Sequence, residues 1–307
     1  MEKMVKKEII KCNRVAVLSD IHSNFYALES CVRDAKANSV DAYVFLGDYV
    51  SGLASPIKTM DLIYQLQEEY PTICIRGNRE RYMMNQRSGQ DAYSIGSYTG
   101  SWLYTYEKLR ECDLRFFENI SIFTEIEING VRMEIAHAKK DNDRFYFEKG
   151  DEHIDDIFCE MSTRYLLTGH SHKQYVCCEQ DKMIINPGSV GLPLGKGGCA
   201  EYVILDIKNE TVASIFRQVP YDAEKVIQEQ FQSGLVDYAR YWAISDLYIA
   251  LTGEAYTKRL LGKIYKQADI QEDAIENETL WHDFAEELGM RFTEEEVLEY
   301  WRNKINL

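Results

Sequence analysis

The sequence predicts an α/β fold of four layers, in which two packed mixed β-sheets are flanked by helices, with a helical extension at the C-terminal end. Three observations support this prediction. Strand and helix patterns alternate in the first 75 residues, period-two alternation dominates residues 122–219, and every later pattern is helical. Alternating strands and helices form parallel sheets with right-handed crossovers, whereas neighbouring alternating segments form hairpins. We therefore expect one domain over residues 1–220 and an acidic helical extension over residues 221–307.

The N-terminal part contains short β-branched or aromatic runs, separated by segments with apolar residues at helical spacing. Ser55 and Pro56 offer an N-cap and a first-turn proline for the second helix. The predicted elements are strands over 14–19, 42–46 and 72–75, and helices over 25–37 and from Pro56 onward.

From residue 122 the period changes to two, and Asn129-Gly130 is a strong signal for a tight hairpin turn. A helix at about 152–161 and a strand over 165–167 interrupt the hairpins. The predicted hairpins pair 123–128 with 131–135, 174–178 with 183–186, and 201–207 with 211–219.

After Pro220 the pattern is helical and acidic. Asp222 is a helix cap, residues 238–267 carry a long amphipathic pattern, and Thr293 to Glu296 have the spacing of a capping box. The apolar stripe must be buried, and we favour packing against residues 1–220, with a homodimer contact or a lid over the site as alternatives. The stripe comprises Tyr241, Trp242, Leu247, Leu251, Leu260, Leu261, Ile264, Val297, Tyr300 and Trp301.

The charge balance excludes one class of partner. Thirty-five Lys and Arg residues against 50 Asp and Glu residues give a net charge of −15, which opposes binding to bulk nucleic acid through its phosphates. No apolar stretch is long enough to span a membrane, and the apolar run after Met1 to Lys11 is too short for a signal peptide. The eight cysteines form no zinc-like pairs, so we expect reduced thiols in a cytoplasmic protein without a membrane partner.

Side chains that can bind metals follow five of the predicted strands, at the edge where α/β sheets place their ligands. Any one of them alone is typical of a turn or a helix cap, but the joint pattern includes four of the six histidines. Residues two apart in extended backbone point to one side, so we expect the paired residues to face one pocket. Glycines at 47, 77 and 169 would allow close approach or positive φ. The candidates are Asp20, His22, Asp48, Asn78, His137, His170 and His172.

These residues belong to ordered motifs that resemble those of the calcineurin-like metallophosphoesterases, most closely the small prokaryotic phosphodiesterase-type branch. The resemblance covers about residues 12–260. Its motifs are Asp20-Ile-His22-Ser-Asn24, Gly47-Asp48, Gly77-Asn78, His137, Gly169-His-Ser-His172, Asn186-Pro-Gly-Ser189 and Val219-Pro-Tyr-Asp222.

The resemblance implies a metallophosphoesterase-like catalytic domain with two divalent metal ions. Asp20, His22 and His172 would hold one ion, Asn78, His137 and His170 would hold the other, and Asp48 would bridge them. Such mixed ligands suit Mn, Fe, Zn or Ni.

The implied activity is that of a dinuclear phosphoesterase, more a phosphodiesterase than a monoesterase, in which a metal-bridging hydroxide attacks phosphorus in line. The substrate would be a small phosphoester, with a nucleotide-derived one among the options. A protein phosphatase acting on phosphoserine or phosphothreonine, and a non-catalytic scaffold of the same fold, are the alternatives.

One position departs from the family pattern. Many members have a histidine directly after the Gly-Asn pair, proposed to protonate the leaving group, whereas this chain has Arg79. Arginine keeps its proton at neutral pH but can hold phosphate oxygens in a bidentate fork. A salt bridge to Glu80 or to an acidic loop is an equal alternative. Loss of the acid favours diesters with good leaving groups over alkyl monoesters.

Asn24 has two interpretations. It could orient Asp48 or the phosphate, or it could cap the helix that begins near Phe25. Lys139 and Lys140 follow His137 closely enough to line the pocket, although a lysine pair is usually solvated.

Overall fold

In the computed structural model, two β-sheets face each other and helices cover their outer surfaces, as the sequence predicts. The structure describes residues 8–271 and 273–305, so the expectation for Met1 to Lys11 falls mostly outside it. The strands are β1 (Glu8–Ile10), β2 (Arg14–Leu18), β3 (Ala42–Phe45), β4 (Thr72–Cys74), β5 (Phe123–Ile128), β6 (Val131–Ala136), β7 (Tyr165–Leu167), β8 (Gln174–Glu179), β9 (Lys182–Pro187), β10 (Cys199–Lys208) and β11 (Thr211–Pro220). The helices are α1 (Phe25–Ala37), α2 (Pro56–Glu69), α3 (Asn78–Ser88), α4 (Gly100–Lys108), α5 (Glu111–Asn119), α6 (Ile154–Glu160), α7 (Ala223–Gln232), α8 (Leu235–Tyr238), α9 (Arg240–Thr252), α10 (Tyr256–Ala268), α11 (Glu278–Glu287) and α12 (Glu294–Ile305).

Both sheets are mixed. One has the order β1-β5-β6-β7-β9-β8 and the other the order β11-β10-β2-β3-β4. Strands β2, β3 and β4 are parallel, as their alternation with helices predicts, and β10 runs antiparallel to β2. The hairpin β10–β11 therefore extends the parallel strands and does not join the other hairpins. The two sheets consequently do not correspond to the two halves of the sequence.

The inner faces of the sheets form one core and the helix-facing side of the second sheet forms another. Val15 and Val17 of β2 belong to the core between the sheets, together with Met133 and Ile135 of β6. Leu18 belongs to the core beneath the helices. This alternation along a single strand is what a strand between two layers requires.

Residues 78–119 form helices α3, α4 and α5, which the sequence patterns did not indicate. Helix α3 has no apolar stripe, and its buried residues are Asn78, Glu80 and Met83. A helix that buries polar groups gives no periodic signal, so only the third strand before it was predicted.

The prediction of a long amphipathic pattern over 238–267 is confirmed for α10, which buries Tyr256, Leu260 and Ile264 on one face, and is wrong for α9. The segment breaks at Gly253, whose φ is 76°, into α9 and α10. Every residue of α9 from Trp242 to Thr252 is buried, because α7, α10 and α11 surround it. A helix covered on all sides is apolar all round and has no stripe.

The predicted caps of the extension are confirmed. Asp222 accepts the Lys225 backbone N–H over 3.1 Å, and Thr293 and Glu296 exchange side-chain and backbone hydrogen bonds as a capping box does. Ser55 precedes α2, but its side chain makes no capping bond.

All ten residues of the predicted stripe lie in, or pack against, the core that also holds Leu18 and Leu28. Packing against residues 1–220 is therefore observed, and a homodimer through these helices stays a prediction. None of the eight cysteines forms a disulfide bond among the described residues. Within residues 8–271 and 273–305, no helix combines the length and apolar character needed to cross a membrane.

Candidate metal centre

The fold brings all seven predicted ligands to the carboxyl ends of their strands. The side chains form two groups, in each of which one ligand atom per residue lies within 4.8 Å of the others. One group is Asp20, His22 and His172, the other is Asp48, His137 and His170, and Asn78 adjoins the second.

The backbone at five of the seven candidate ligands is left-handed and not extended. The i, i+2 argument placed Asp20 and His22 together correctly but for a wrong reason, because the alternation of an extended strand does not apply here. It paired His170 with His172, which lie in different groups. Non-glycine residues in this region cost about 1–3 kcal/mol each, so the surrounding hydrogen bonds must hold them. The φ values are 53° at Asp20, 51° at His22, 54° at Asp48, 64° at His170 and 58° at His172.

The glycines act as predicted. Gly47 has a φ of 95°, and a Cβ on Gly77 would lie 2.2 Å from Asp48 Oδ1. A Cβ on Gly169 would lie 2.0 Å from Ser19 Oγ. The ligand loops therefore approach each other more closely than any side chain would allow.

Backbone carbonyls fix the proton positions on two imidazoles. His22 Nδ1 donates to the Ser51 carbonyl over 3.1 Å, and His172 Nδ1 donates to the Leu192 carbonyl over 2.7 Å. In the neutral rings the Nε2 atoms carry lone pairs, and these atoms face each other at 3.1 Å. Two lone pairs at this distance repel unless a proton or a metal cation lies between them. Histidine ligands of metals have the same outer hydrogen bonds.

Asp20 supplies an oxygen at the same place. Its side chain is fully buried, and its Oδ1 has no hydrogen-bond partner among the described residues. This oxygen lies 3.9 Å from His22 Nε2 and 3.4 Å from His172 Nε2. Burial would raise the pKa of Asp20, but the imidazoles of His172 and His137 outweigh it and hold that pKa at about 2. A buried, ionised oxygen beside imidazole nitrogens fits a divalent cation.

The second group has the same chemistry. His137 Nδ1 donates to the Leu46 carbonyl over 2.8 Å, and its Nε2 lies 3.5 Å from Asp48 Oδ2 and 3.2 Å from Asn78 Oδ1. Burial would lower the pKa of His137, but the Asp48 carboxylate raises it to about 10. Burial and His137 lower the pKa of His170 to about 4, so the His170 imidazole is neutral.

Asp48 faces both groups, since its Oδ2 lies 3.7 Å from His22 Nε2 and 3.5 Å from His137 Nε2. This is where a bridging carboxylate would stand. The donor set therefore fits two divalent ions, and the division of ligands between them stays a prediction.

Arg79 lies at the edge of the cluster and is mostly buried. Its Nε is 3.9 Å from Asp48 Oδ2 and has no hydrogen-bond partner among the described residues. The guanidinium lies 5.9 Å from the centre of the Tyr82 ring. The alternative pairing with Glu80 is not formed, because both oxygens of Glu80 accept backbone N–H groups. The guanidinium is therefore directed to the metal cluster.

Asn24 caps α1, as one of its two interpretations held. Its Oδ1 accepts the Ala27 backbone N–H over 3.2 Å, and its amide donates to the Gly191 carbonyl over 3.1 Å. The side chain is buried, and no hydrogen bond to Asp48 is found among the described residues. Asn24 therefore positions the chain at the start of α1 and the loop at Gly191.

The lysine pair serves another surface. Lys139 forms an ion pair of 2.7 Å with Glu160, and the Lys140 ammonium lies 4.6 Å from the centre of the Phe123 ring. By contrast, Asn186 supports the ligand loop, because its amide donates to the Gly169 carbonyl over 2.6 Å.

Sequence reasoning missed Glu80, which organises the loop of Asp48. Its Oε2 accepts the backbone N–H groups of Asp48 and Gly77 over 2.9 and 2.8 Å, and its Oε1 accepts that of Tyr49 over 2.8 Å. The signal was available, because a glutamate three residues after Gly77, at the start of a helix, has capping-box spacing.

The C-terminal extension supplies a second missed carboxyl group. Asp246 of α9 is buried, and it accepts hydrogen bonds from Trp242 Nε1 over 2.9 Å and Thr257 Oγ1 over 2.6 Å. Burial raises its pKa against the attraction of Arg79 and His172. A single carboxylate in an otherwise apolar helix was the only signal in the sequence.

The extension also clamps the loop 191–198, which carries the carbonyl partner of His172. The Gly198 backbone N–H donates to the Ala250 carbonyl over 2.9 Å, and a Cβ on Gly198 would lie 2.4 Å from the Trp301 ring. A Cβ on Gly197 would lie 2.2 Å from the Leu251 carbonyl oxygen. Helices α9 and α12 therefore pack directly against the loop 191–198.

Similarity to known proteins covers most of the chain. Residues 14–210 match the family model described as the calcineurin-like phosphoesterase superfamily domain. An uncharacterized protein of Methanocaldococcus jannaschii is 26% identical over 239 residues, which make up 73% of this chain and 94% of that protein.

Two solved structures share the fold. A hypothetical protein from Pyrococcus horikoshii has a TM-score of 0.67 at 18% identity, over 78% of this chain and 98% of that one. A metallophosphoesterase from Sphaerobacter thermophilus has a TM-score of 0.60 at 21% identity, over 75% of this chain and 98% of that one. At these identities the likeness concerns the arrangement of strands and helices.

Proposed function

Because this chain belongs to the calcineurin-like phosphoesterase superfamily, we propose that it is a dinuclear metal-dependent hydrolase of small phosphodiesters. The observation that carries the proposal is the arrangement around Asp20 Oδ1 and Asp48 Oδ2. Each of these oxygens lies within 4 Å of two or more imidazole Nε2 atoms. This geometry calls for cations between the side chains.

Asp20, His22 and His172 would hold one ion, Asn78, His137 and His170 the other, and Asp48 would contact both. Two divalent ions in such a site polarise phosphoryl oxygens and activate water. The residues are positioned in advance by the left-handed backbone and by the carbonyl partners of the imidazoles. Mn, Fe, Zn and Ni all suit this donor set.

Arg79 decides the substrate class in this proposal. Its guanidinium stands beside Asp48, where it would hold a phosphate oxygen and orient the ester. It cannot protonate a leaving group at neutral pH. Esters whose leaving group departs without a proton should therefore be preferred, and these are esters of acidic alcohols, such as aryl diesters, over alkyl monoesters.

The test compares three substrates on protein loaded with Mn²⁺, Ni²⁺ or Zn²⁺. Both p-nitrophenyl esters should be cleaved much faster than an alkyl monoester. Because bis(p-nitrophenyl) phosphate and p-nitrophenyl phosphate share a leaving group, faster cleavage of the first tests the preference for diesters by itself. Arg79→His should reduce the ratio of the hydrolysis rate of bis(p-nitrophenyl) phosphate to that of the alkyl monoester. Arg33→His, on the exposed side of α1, should leave this ratio unchanged.

Other results would overturn the proposal. If elemental analysis finds no metal after soaking, and no ester is cleaved, a scaffold of the same fold is favoured. If phosphoserine or phosphothreonine peptides are turned over faster than any diester, the protein phosphatase alternative is favoured. A wild type that prefers alkyl monoesters would contradict the role given to Arg79.

A further inference from the structure

A row of cationic side chains and aromatic rings leads from the candidate metal centre to helix α10 of the C-terminal extension. The Tyr146 ring lies 6.3 Å from the ring of His170, and the Lys258 ammonium of α10 lies 5.5 Å from the centre of the Tyr146 ring. Lys258 therefore stands no more than about 12 Å from a candidate metal ligand. Tyr146 is 40% exposed, so part of its side chain is accessible from solvent.

A second connection runs through Tyr82. The guanidinium groups of Arg79 and Arg144 lie 5.9 and 5.8 Å from the centre of its ring. Arg79 reaches Asp48, while Arg144 is exposed in the loop that follows His137.

Two of these cations contact tyrosine rings but form no ion pair with a carboxylate among the described residues. Neither Arg144 nor Lys258 has a carboxylate within 4 Å among the described residues. Lys258 lowers the pKa of Glu148 through its charge, but Glu148 is already bound by Lys173 and the Tyr146 hydroxyl. In a chain of net charge −15, exposed cations without acidic partners stand out as sites for an anion.

Helix α10 leaves room in front of these groups. Lys258, Gly262 and Tyr265 are spaced i, i+4 and i+7, so they share one face of the helix. The Tyr265 hydroxyl is 3.2 Å from that of Tyr98, and its ring is 45% exposed. A Cβ on Gly262 would meet nothing within 4 Å. Glycine inside a helix costs about 1 kcal/mol relative to alanine, and no packing contact explains it here.

We propose that the surface formed by Tyr82, the loop 144–146 and the Lys258 face of α10 binds a nucleobase and a phosphate of the substrate beyond the ester that is cleaved. The inference rests on the proposed function and names its substrate class, a short nucleotide diester with a terminal phosphate. The exposed rings offer stacking, worth about 1–3 kcal/mol per base. Arg144 and Lys258 offer charge to the second phosphate.

The test uses the dinucleotide ApA and its 5′-phosphorylated form pApA, which differ by one phosphate. EDTA-treated protein should bind pApA at least tenfold more tightly than ApA in calorimetry, and metal-loaded protein should cleave pApA with the higher kcat/KM. Lys258→Ala and Arg144→Ala should each reduce the preference for pApA severalfold. Lys263→Ala removes a cation of the same helix that is paired with Glu287, and should not change it.

Gly262→Leu tests the open space without weakening the helix, because leucine has a higher helix propensity than glycine. The melting temperature should hold or rise, the affinity for pApA should fall at least tenfold, and hydrolysis of bis(p-nitrophenyl) phosphate should not change.

Failure of the two proposals can be told apart. Protein that hydrolyses bis(p-nitrophenyl) phosphate but binds pApA and ApA with equal affinity would contradict the proposed nucleotide-binding surface and would agree with the proposed function. If Lys258→Ala and Gly262→Leu both keep the wild-type affinity for pApA relative to ApA, the nucleotide-binding surface is likewise contradicted. Protein that hydrolyses none of these esters, yet binds pApA more tightly than ApA and loses this preference in Lys258→Ala, would contradict the proposed function and support the nucleotide-binding surface.

Discussion

Replacing Gly77 with alanine tests the metal centre by adding a single methyl group. A Cβ at this position would lie 2.2 Å from Asp48 Oδ1, 2.8 Å from Asp48 N and 2.9 Å from His137 Cε1. The backbone accepts alanine, because Gly77 has a φ of −101° and a ψ of −166°. The substitution therefore disturbs the cluster and leaves the local conformation allowed.

The magnitude follows from the contact. To reach an ordinary separation of 3.4 Å, Asp48 Oδ1 must move by about 1.2 Å relative to residue 77. A displacement of about 1 Å in a catalytic site can cost about 100-fold in rate, and metal ligands tolerate only about 0.2 Å. Overpacking costs about 1–3 kcal/mol, and alanine recovers about 0.4–1 kcal/mol through the unfolded chain. We expect a net destabilisation of about 1–2 kcal/mol.

Three measurements check this expectation: metal content, hydrolysis of bis(p-nitrophenyl) phosphate, and thermal unfolding by circular dichroism. Gly77→Ala should remain folded, lose about 100-fold in activity and bind less than two ions per chain. Gly262→Ala is the matched control, because its added Cβ meets nothing, and it should keep full activity with a slightly higher melting temperature. Wild-type activity and metal content in Gly77→Ala would refute the reasoning.

Three further outcomes are expected. Asp48→Asn should reduce activity more than Asn78→Ala, because Asp48 faces imidazoles of both groups; equal, mild losses in a kinetic assay would assign Asp48 to its turn alone. Binding of Mn²⁺ near pH 7 should release protons and become tighter as pH rises, because Asp48 raises the pKa of His137 to about 10 in the metal-free protein and a ligand imidazole must be neutral. Calorimetry in buffers of different ionisation enthalpy measures the protons released, and a value of zero would contradict this prediction. Trp301→Ala should destabilise the fold by about 2 kcal/mol and weaken metal binding beside His172, and an unchanged metal affinity would show that the loop 191–198 keeps its position without Trp301.

Most strands and the positions of the candidate ligands were predictable because they follow from local signals, whereas the membership of each sheet was not. Short strands, Asn129-Gly130 and polar residues at strand ends are visible without tertiary information, and together they place the cluster at one edge of the sheets. The left-handed backbone at Asp20 and His22 was not predictable, because long-range bonds hold it, such as those from Asp20 N to Gly47 O and from His22 N to Asp48 O.

The same limit applies to the extension. The pattern over 238–267 contains enough apolar residues for a long helix, but only the packing of neighbours around α9 shows that it is buried on every side. Asp246 and Lys258 gain their significance from residues more than 100 positions earlier, Arg79 and Tyr146. No spacing rule connects positions so far apart in the chain.

The clamp on the loop 191–198 has a consequence for biosynthesis. At about 5–20 residues per second, the ribosome needs on the order of ten seconds to add the residues that follow Pro220. During that interval the nascent chain already contains every candidate ligand but lacks Ala250 and Trp301, which hold the loop beside His172. Capture of metal at that half of the centre should therefore be a late event of synthesis, and premature termination after Pro220 would yield chains with a full ligand set and an unsupported loop.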